Sequence, residues 1–351
     1  MTVLRPTRPV VVLPTQPDDV PWPAADWPRR ELPGATRDEL ERLIDRAFSP
    51  GDEMPGDEFG MSLAFVAIHR GCLVAERYGP TAGPDEQLVS WSMAKSITHA
   101  LVGVAAGEGR LALTETGLVP AWADPDDQRA AITIDHLLRM VPGTRFNEDY
   151  VDTETSHCIE MLFGEGKADM SAYVADLPSE AEPNTVFNYS SGTTVLLCRI
   201  LADAVGRGPD FEAWVRSSLL DPIGMSARLT FDEAGVWVGS SFLHATAQDF
   251  ARFGLLYLRD GVWDGRRVLP EGWVNYARTA QAVDDEGATY GAHWWMWPPD
   301  HDVFYASGYE TQRIVVDPVN DLVLVRLGKT PTDKAQSVDA WLEQIRLVLA
   351  G

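Results

Sequence analysis

The feature that most constrains the fold is that strand-like runs cluster near the two ends of the chain. SLAFVAIHRG (62–71) and CLVAERYG (72–79) read as two adjacent strands joined by a turn at Arg70-Gly71. Far downstream, VFYASG (303–308), QRIVVD (312–317) and LVLVRLG (322–328) read as three more, the last two joined through Pro318-Val319-Asn320-Asp321. The stretch between, roughly 92–285, reads as mainly helical, with loops such as FNEDYVDTETS (146–156). Strands at both ends with helices between imply one antiparallel sheet assembled from both termini.

Flanking segments complete the picture. ATRDELERLIDRAFS (35–49) predicts a helix starting at Thr36, with Glu39 closing a capping box and Leu40, Leu43, Ile44, Ala47 and Phe48 as its apolar stripe. DKAQSVDAWLEQIRLVLAG (333–351) predicts an amphipathic helix with Val338, Trp341, Leu342 and Ile345 inward. The expected class is α+β, with a five-stranded antiparallel sheet flanked by helices and an inserted mainly helical domain. The expected division is an extended arm over 1–34, a sheet domain over 35–115 plus 286–351, and a helical domain over 116–285, with the active site at their junction.

One short stretch, SWSMAKSITHALVG (90–103), carries chemistry. The chain has four lysines, and one, Lys95, follows Ser92 by three residues at the start of an apolar helix. Residues three apart share a helix face. A serine in the first turn keeps a free backbone N–H and feels the positive end of the helix dipole. Its hydroxyl still needs a base. A lysine serves only when neutral, which burial and positive neighbours favour. Seventeen serines and four lysines give roughly 0.2 chance Ser-x-x-Lys matches. By itself, then, the pair reads equally as a catalytic dyad or as two surface residues.

Other chemistries find no support. There is no G-x-S-x-G elbow, no HExxH and no cysteine-pair zinc spacing. GEGKAD (164–169) lacks the first glycine and the Ser/Thr of a phosphate loop and reads as a solvated turn. His99, one turn beyond Lys95, reads as a packed histidine. A formal net charge of −23 disfavours nucleic acid and anionic membranes. No run approaches ~18 apolar residues, and the N-terminus lacks the apolar core of a secretory signal. Cys72, Cys158 and Cys198 are far apart and odd in number, the pattern of reduced thiols in a cytoplasmic protein.

Two further segments give Ser92 company. VFNYSSGTTVLLCRILADAVG (186–206) has a strand-like start, then Tyr189-Ser190-Ser191, then an apolar helix. YASGYETQRIVVDP (305–318) is a glycine-containing strand edge that backbone could bring close to a substrate. In order and spacing, Ser92-Met93-Ala94-Lys95, Tyr189-Ser190-Ser191 and Ala306-Ser307-Gly308 resemble the three motifs of serine β-lactamase-related hydrolases, in the class C-like branch. The resemblance runs from about residue 35 onward and implies the β-lactamase/transpeptidase-like fold. Within that branch FNEDYVD (146–152), HWWMW (293–297) and ASGYETQRIVVDP are similar to the 6-aminohexanoate-dimer (nylon-oligomer) hydrolases and related esterases.

The resemblance implies a serine hydrolase of small amides or esters that works through an acyl-enzyme on Ser92. Lys95 and Tyr189 would share the proton, with either as first acceptor, and the backbone N–H groups of Ser92 and Tyr309 would form the oxyanion hole. It implies substrate contacts from Tyr150, from Trp294 or Trp295, and from Ser191, Ser240 and Gly308. It calls for no metal and no cofactor, and a homodimer is an expectation carried by the family alone. Glu148 and Asp149 read as a solvated acidic pair. Two departures bear on the substrate. Motif three begins with Ala306 where β-lactamases and DD-peptidases place a cation for the substrate carboxylate. The aspartate that holds a substrate ammonium in the amide-cleaving relatives is Met161 here, beside Glu160, which could substitute. The rival functions are a β-lactamase or DD-peptidase, and a catalytically silent binding protein on the same fold.

Overall fold

The computed structural model describes residues 2–3, 10–23, 25–48, 58–151, 154–298 and 302–351. Its centre is the antiparallel sheet that the two ends of the chain were expected to build. The main strands are β2 (Met61–His69), β3 (Cys72–Tyr78), β7 (Phe304–Gly308), β8 (Gln312–Asp317) and β9 (Leu322–Lys329), in the order β7-β8-β9-β2-β3. The N-terminal and C-terminal parts meet where Leu322–Lys329 pairs with His69–Met61. Four two-residue strands extend the β7 side to nine among the described residues: β1 (Thr2–Val3), β4 (Ala282–Val283), β5 (Thr289–Tyr290) and β6 (Trp295–Met296).

Both hairpin turns follow their sequence chemistry. Arg70 and Gly71 have φ of 51° and 74°, the left-handed pair that a two-residue turn of matching twist requires. In the other turn Asp317 accepts the backbone N–H groups of Val319 and Asn320.

Both faces of the sheet are covered, which is why β2 reads as a continuous apolar run. Phe65 and Ala67 point toward α1 (Gly34–Ala47) and α6 (Ala335–Ala350), where Leu40, Leu43, Ile44, Trp341, Leu342 and Ile345 are buried. Ala64, Val66 and Ile68 point the other way. There they join α2 (Ala94–Gly107), α4 (Ser191–Val205) and α5 (Ala247–Leu258) in the main core. The N-terminal arm touches both edges of the sheet. Thr2–Val3 pairs with β4 at one edge, and Arg29 bridges Leu73 of β3 at the other. Edges so covered present fewer unpaired backbone groups to other chains.

Two expectations need correction. The Thr36 capping box does not form: α1 begins at Gly34 after Pro33, no side chain caps it, and Glu39 pairs with Arg42. Pro33 takes the N-cap position and its carbonyl accepts the Arg37 N–H, so the helix starts two residues early and Thr36 lies inside the first turn. The intervening stretch is also less helical than its apolar spacing suggested. It holds the strands Ala227–Leu229 and Leu243–Ala245, which form a small sheet with Leu88–Val89 just before it, and a two-stranded ribbon of Val262–Trp263 and Arg266–Arg267. GEGKAD contains a short 3₁₀ turn with Lys167 exposed. Among the described residues no helix is long and apolar enough to cross a membrane.

Candidate active site

Ser92 lies in the short turn Trp91–Met93 that leads into α2, with Trp91 in the left-handed region at φ 45°. Left-handed backbone at a non-glycine residue stores strain, which surrounding structure must hold in place. Here the Ser90 N–H is tied to the Leu243 carbonyl of the small sheet, and the Ser90 hydroxyl bonds the carbonyls of Trp91 and Ser241. The turn therefore presents Ser92 while its neighbours are anchored. Lys95, one turn on, is only 2% exposed.

Lys95 Nζ has three oxygen partners: Ser92 Oγ at 2.9 Å, Ser191 Oγ at 2.9 Å and the Ser240 carbonyl at 3.1 Å. The Glu148 carboxylate stands 3.9 Å from the same nitrogen. Tyr189 closes the group, with Lys95 Nζ 4.9 Å from the centre of its ring. It precedes α4, whose N-cap Ser190 accepts the Thr193 N–H at 3.0 Å. Burial pushes the Tyr189 phenol above its ordinary range. Lys95 and hydrogen bonds with Ser92 and Lys95 oppose the rise, and Glu148 adds to it.

β7 approaches from the other side. A Cβ at Gly308 would lie 2.4 Å from the Ser90 carbonyl oxygen, so only glycine lets the strand end pass this close. Tyr309 follows, and then Glu310 and Thr311 in left-handed backbone at φ 58° and 63°. Arg326 fixes this bend by donating to the Glu310 and Thr311 carbonyls. Ser307 accepts from Arg313, whose guanidinium is paired with Asp339 of α6. Ala306 is buried and brings no charge.

A cavity of about 190 Å³ opens beside Ser92. Trp91, Ile159, Leu162, Phe163, Tyr150 and Tyr309 supply most of its apolar lining. Ile159, Leu162 and Phe163 come from α3 (His157–Phe163), which Ser156 caps through the Ile159 N–H. Cys158 also lines the cavity, but burial, and after it Glu148, push its thiol far above the ordinary range, so it stays protonated.

The residues expected at the site divide into three groups. Ser92, Lys95, Tyr189 and Ser191 come together, and Tyr150 and Tyr309 line the cavity. Ser240 takes part through its carbonyl, while its hydroxyl pairs with Ser241, which faces the cavity in its place. Trp294 does not line the cavity: it is fully buried against Phe253, Tyr257 and Phe304. Trp295 stands behind Tyr189, ring to ring at 5.3 Å. Glu160 turns away to accept the Glu165 N–H, and Met161 is buried in the core, so neither offers a carboxylate to the cavity. His99 is packed as expected, its Nδ1 2.7 Å from the Tyr257 hydroxyl.

Glu148 corrects the solvated reading. Its carboxylate accepts the Ser191 N–H at 2.7 Å, the Ser191 hydroxyl at 2.6 Å and the Tyr150 hydroxyl at 2.9 Å. Asp149 stays exposed. Asp152, at the end of the FNEDYVD segment, lies outside the described residues. The α3 wall was also missed, although Ile159, Leu162 and Phe163 keep the i, i+3, i+4 spacing of a helix face.

The arrangement offers a hydroxyl in contact with a buried amine and a phenol beside both, between a helix start and a strand end. Residues 44–347 match the sequence profile of the Beta-lactamase family. The chain is 27% identical over 288 residues to the 6-aminohexanoate-dimer hydrolase of Paenarthrobacter ureafaciens, covering 76% of this chain and 72% of the relative. Its fold is similar to that of a Bacillus anthracis protein described as a candidate 6-aminohexanoate-dimer hydrolase. That match has a TM-score of 0.72 and 21% identity, over 97% of this chain and 90% of the other. A family VIII carboxylesterase aligns with a TM-score of 0.67 and 12% identity, over 90% of this chain and 99% of the other.

Proposed function

The chain belongs to the Beta-lactamase family, and from that premise we propose that it is a serine hydrolase of small esters and neutral amides. The observation that carries this reading is the 2.9 Å contact between Ser92 Oγ and the nearly inaccessible Lys95 Nζ, at the mouth of an apolar cavity.

In this mechanism Ser92 Oγ gives its proton to the Lys95–Tyr189 pair and bonds to the substrate carbonyl carbon. The carbonyl electron pair moves to oxygen, which the N–H groups of Ser92 and Tyr309 receive. Collapse expels the alcohol or amine, which takes a proton from the same pair. Water, deprotonated by that pair, then attacks the acyl-enzyme and frees Ser92.

The lining defines the substrate. An apolar cavity of roughly 150 Å³ can hold benzene. The cavity here, about 190 Å³, suits a short hydrocarbon acyl group. Ala306 supplies no cation for a substrate carboxylate, which speaks against penicillins and D-Ala-D-Ala termini. Glu160 and Met161 supply no partner for a substrate ammonium, which speaks against ω-amino acyl chains. The buried free cysteines Cys72, Cys158 and Cys198 support residence in a reducing compartment such as the cytoplasm.

Turnover of p-nitrophenyl butyrate, 6-aminohexanoate dimer and nitrocefin by wild type and Ser92→Ala tests the reading. Butyrate should be cleaved fastest, and only by wild type. Preferred turnover of nitrocefin would replace this reading with a β-lactamase, and equal turnover by Ser92→Ala would end it.

A further inference from the structure

The bonds around Ser191 fix more than its position. Its hydroxyl carries a single proton and lies between Lys95 Nζ at 2.9 Å and Glu148 Oε1 at 2.6 Å. The Glu148 carboxylate already takes the Ser191 N–H at 2.7 Å and the Tyr150 hydroxyl at 2.9 Å, so it serves as an acceptor throughout. Its two oxygens take three donors in all, the Ser191 hydroxyl among them. Ser191 must therefore donate to Glu148, and only its lone pairs remain for Lys95. The Ser240 carbonyl, 3.1 Å from Nζ, can likewise only accept.

A neutral lysine has two N–H bonds and one lone pair. With Ser191 and Ser240 as obligate acceptors, both N–H bonds are assigned. The remaining direction faces Ser92 Oγ at 2.9 Å and the Tyr189 hydroxyl, which also bonds Lys95. We infer that Glu148 is a positioning residue: its accepting carboxylate sets the direction of the hydrogen bonds through Ser191 and so turns the Lys95 lone pair toward the Ser92 and Tyr189 hydroxyls. The same carboxylate holds Tyr150, so the segment that lines the cavity also carries the group that orients the base. The inference rests on the reading of Ser92 and Lys95 as nucleophile and base.

Glu148→Gln tests it, because glutamine keeps the size and one acceptor oxygen but adds N–H donors that let Ser191 reverse its bond. Two readouts are needed on the full chain: kcat and KM for p-nitrophenyl butyrate, and the rate at which a fluorophosphonate labels Ser92, followed by mass spectrometry. General-base assistance is worth about 10²–10⁴-fold. A misaimed base should therefore cost at least about tenfold in both kcat and labelling rate, with KM held within about twofold. Ser191→Ala should behave alike, because it breaks the same link while keeping the backbone N–H that docks Glu148. The double variant should fall no lower than the weaker single.

Wild-type labelling by either single variant, or losses that multiply in the double, would overturn the inference and leave Glu148 as a loop anchor. Should Glu148→Gln fail to fold, as read by thermal melting, Ser191→Ala carries the test alone. Ser92→Ala in the same series separates the two levels. If it keeps turnover, the reading of the site fails. If it is inactive while Glu148→Gln is fully active, only the role of Glu148 fails.

Discussion

Gly308 passes so close to Ser90 that a Cβ there would stand 2.4 Å from the Ser90 carbonyl oxygen. The contact joins the end of β7 to the turn that presents Ser92, and so sets the gap between the two proposed oxyanion donors. Gly308 itself has ordinary extended backbone, at φ −130°. The demand is for space, not for conformational freedom. Gly308→Ala should push the strand end outward and misplace the Tyr309 N–H. Loss of one oxyanion donor costs about 10²–10³-fold in kcat. A fall of that order in p-nitrophenyl butyrate turnover is expected; turnover within about threefold of wild type would show that Tyr309 is not a donor.

Ser92→Ala should lower kcat about 10³-fold or more, the scale of removing a nucleophile. Lys95→Ala and Tyr189→Phe should each cost orders of magnitude. Groups that act as one unit are not additive, so adding either change to Ser92→Ala should cost little more. Steady-state kinetics of the singles and doubles supplies the check, and multiplying losses would argue against a shared proton path.

The α3 wall should set acyl-chain preference. Leu162 lines the cavity and is 8% exposed. Across p-nitrophenyl acetate, butyrate, hexanoate and decanoate, kcat/KM should peak at the shorter chains and fall steeply by decanoate. Leu162→Ala should move the optimum to longer chains. An unmoved optimum would mean that the acyl group binds elsewhere.

His293 should make stability depend on pH. His293 joins the two helices that carry Lys95 and Ser191. Nδ1 is 2.8 Å from the Leu138 carbonyl and so carries the proton, Nε2 accepts from Thr194, and the His293 carbonyl takes the Ser96 hydroxyl. Burial lowers its pKa to about 3. An unfolded histidine titrates near ~6.5, so as pH falls below that value the unfolded chain gains a proton that the folded chain refuses. The contribution is complete above pH ~6.5 and is lost progressively toward pH 3, at about 1.4 kcal/mol per unit. His293→Asn tolerates the local φ of 57° and cannot titrate. Urea denaturation at pH 7.5, 6 and 5 should show a shallower decline for the variant, whatever its absolute stability. Parallel declines would contradict the assignment.

Trp341 should matter for stability alone. It is 1% exposed, packs between Phe59 and Phe65, and donates to the Leu43 carbonyl at 2.7 Å. Trp341→Ala should cost about 3–5 kcal/mol in urea denaturation. Because α6 covers the sheet face opposite α2, kcat of the folded enzyme should stay near wild type. A large kcat loss without loss of stability would point to coupling across the sheet.

Local patterns in the chain determine a good deal of this protein. Alternation and apolar runs mark the five main strands, Arg70-Gly71 and Pro318–Asp321 mark two turns, and one Ser-x-x-Lys at a helix start marks the candidate nucleophile. These signals work because strand period, turn conformation and helix spacing depend on residues a few places apart. Where local chemistry competed, the sequence misled: Thr36 had the partner for a capping box, but Pro33 starts that helix earlier. What tertiary structure decided lies in long-range contacts. Lys95 meets Ser191 across 96 residues and Ser240 across 145, while Glu148 reaches Ser191 across 43. Two adjacent acids in a polar loop carry the signature of a solvated pair. Only the docking of that loop on the start of α4 turns Glu148 inward and leaves Asp149 in water, because there the backbone N–H and hydroxyl of Ser191 replace the water a carboxylate would otherwise need. Trp294 and Trp295 are neighbours in sequence, yet one enters the core and the other backs Tyr189, a separation set by the packing of the surrounding helices and strands.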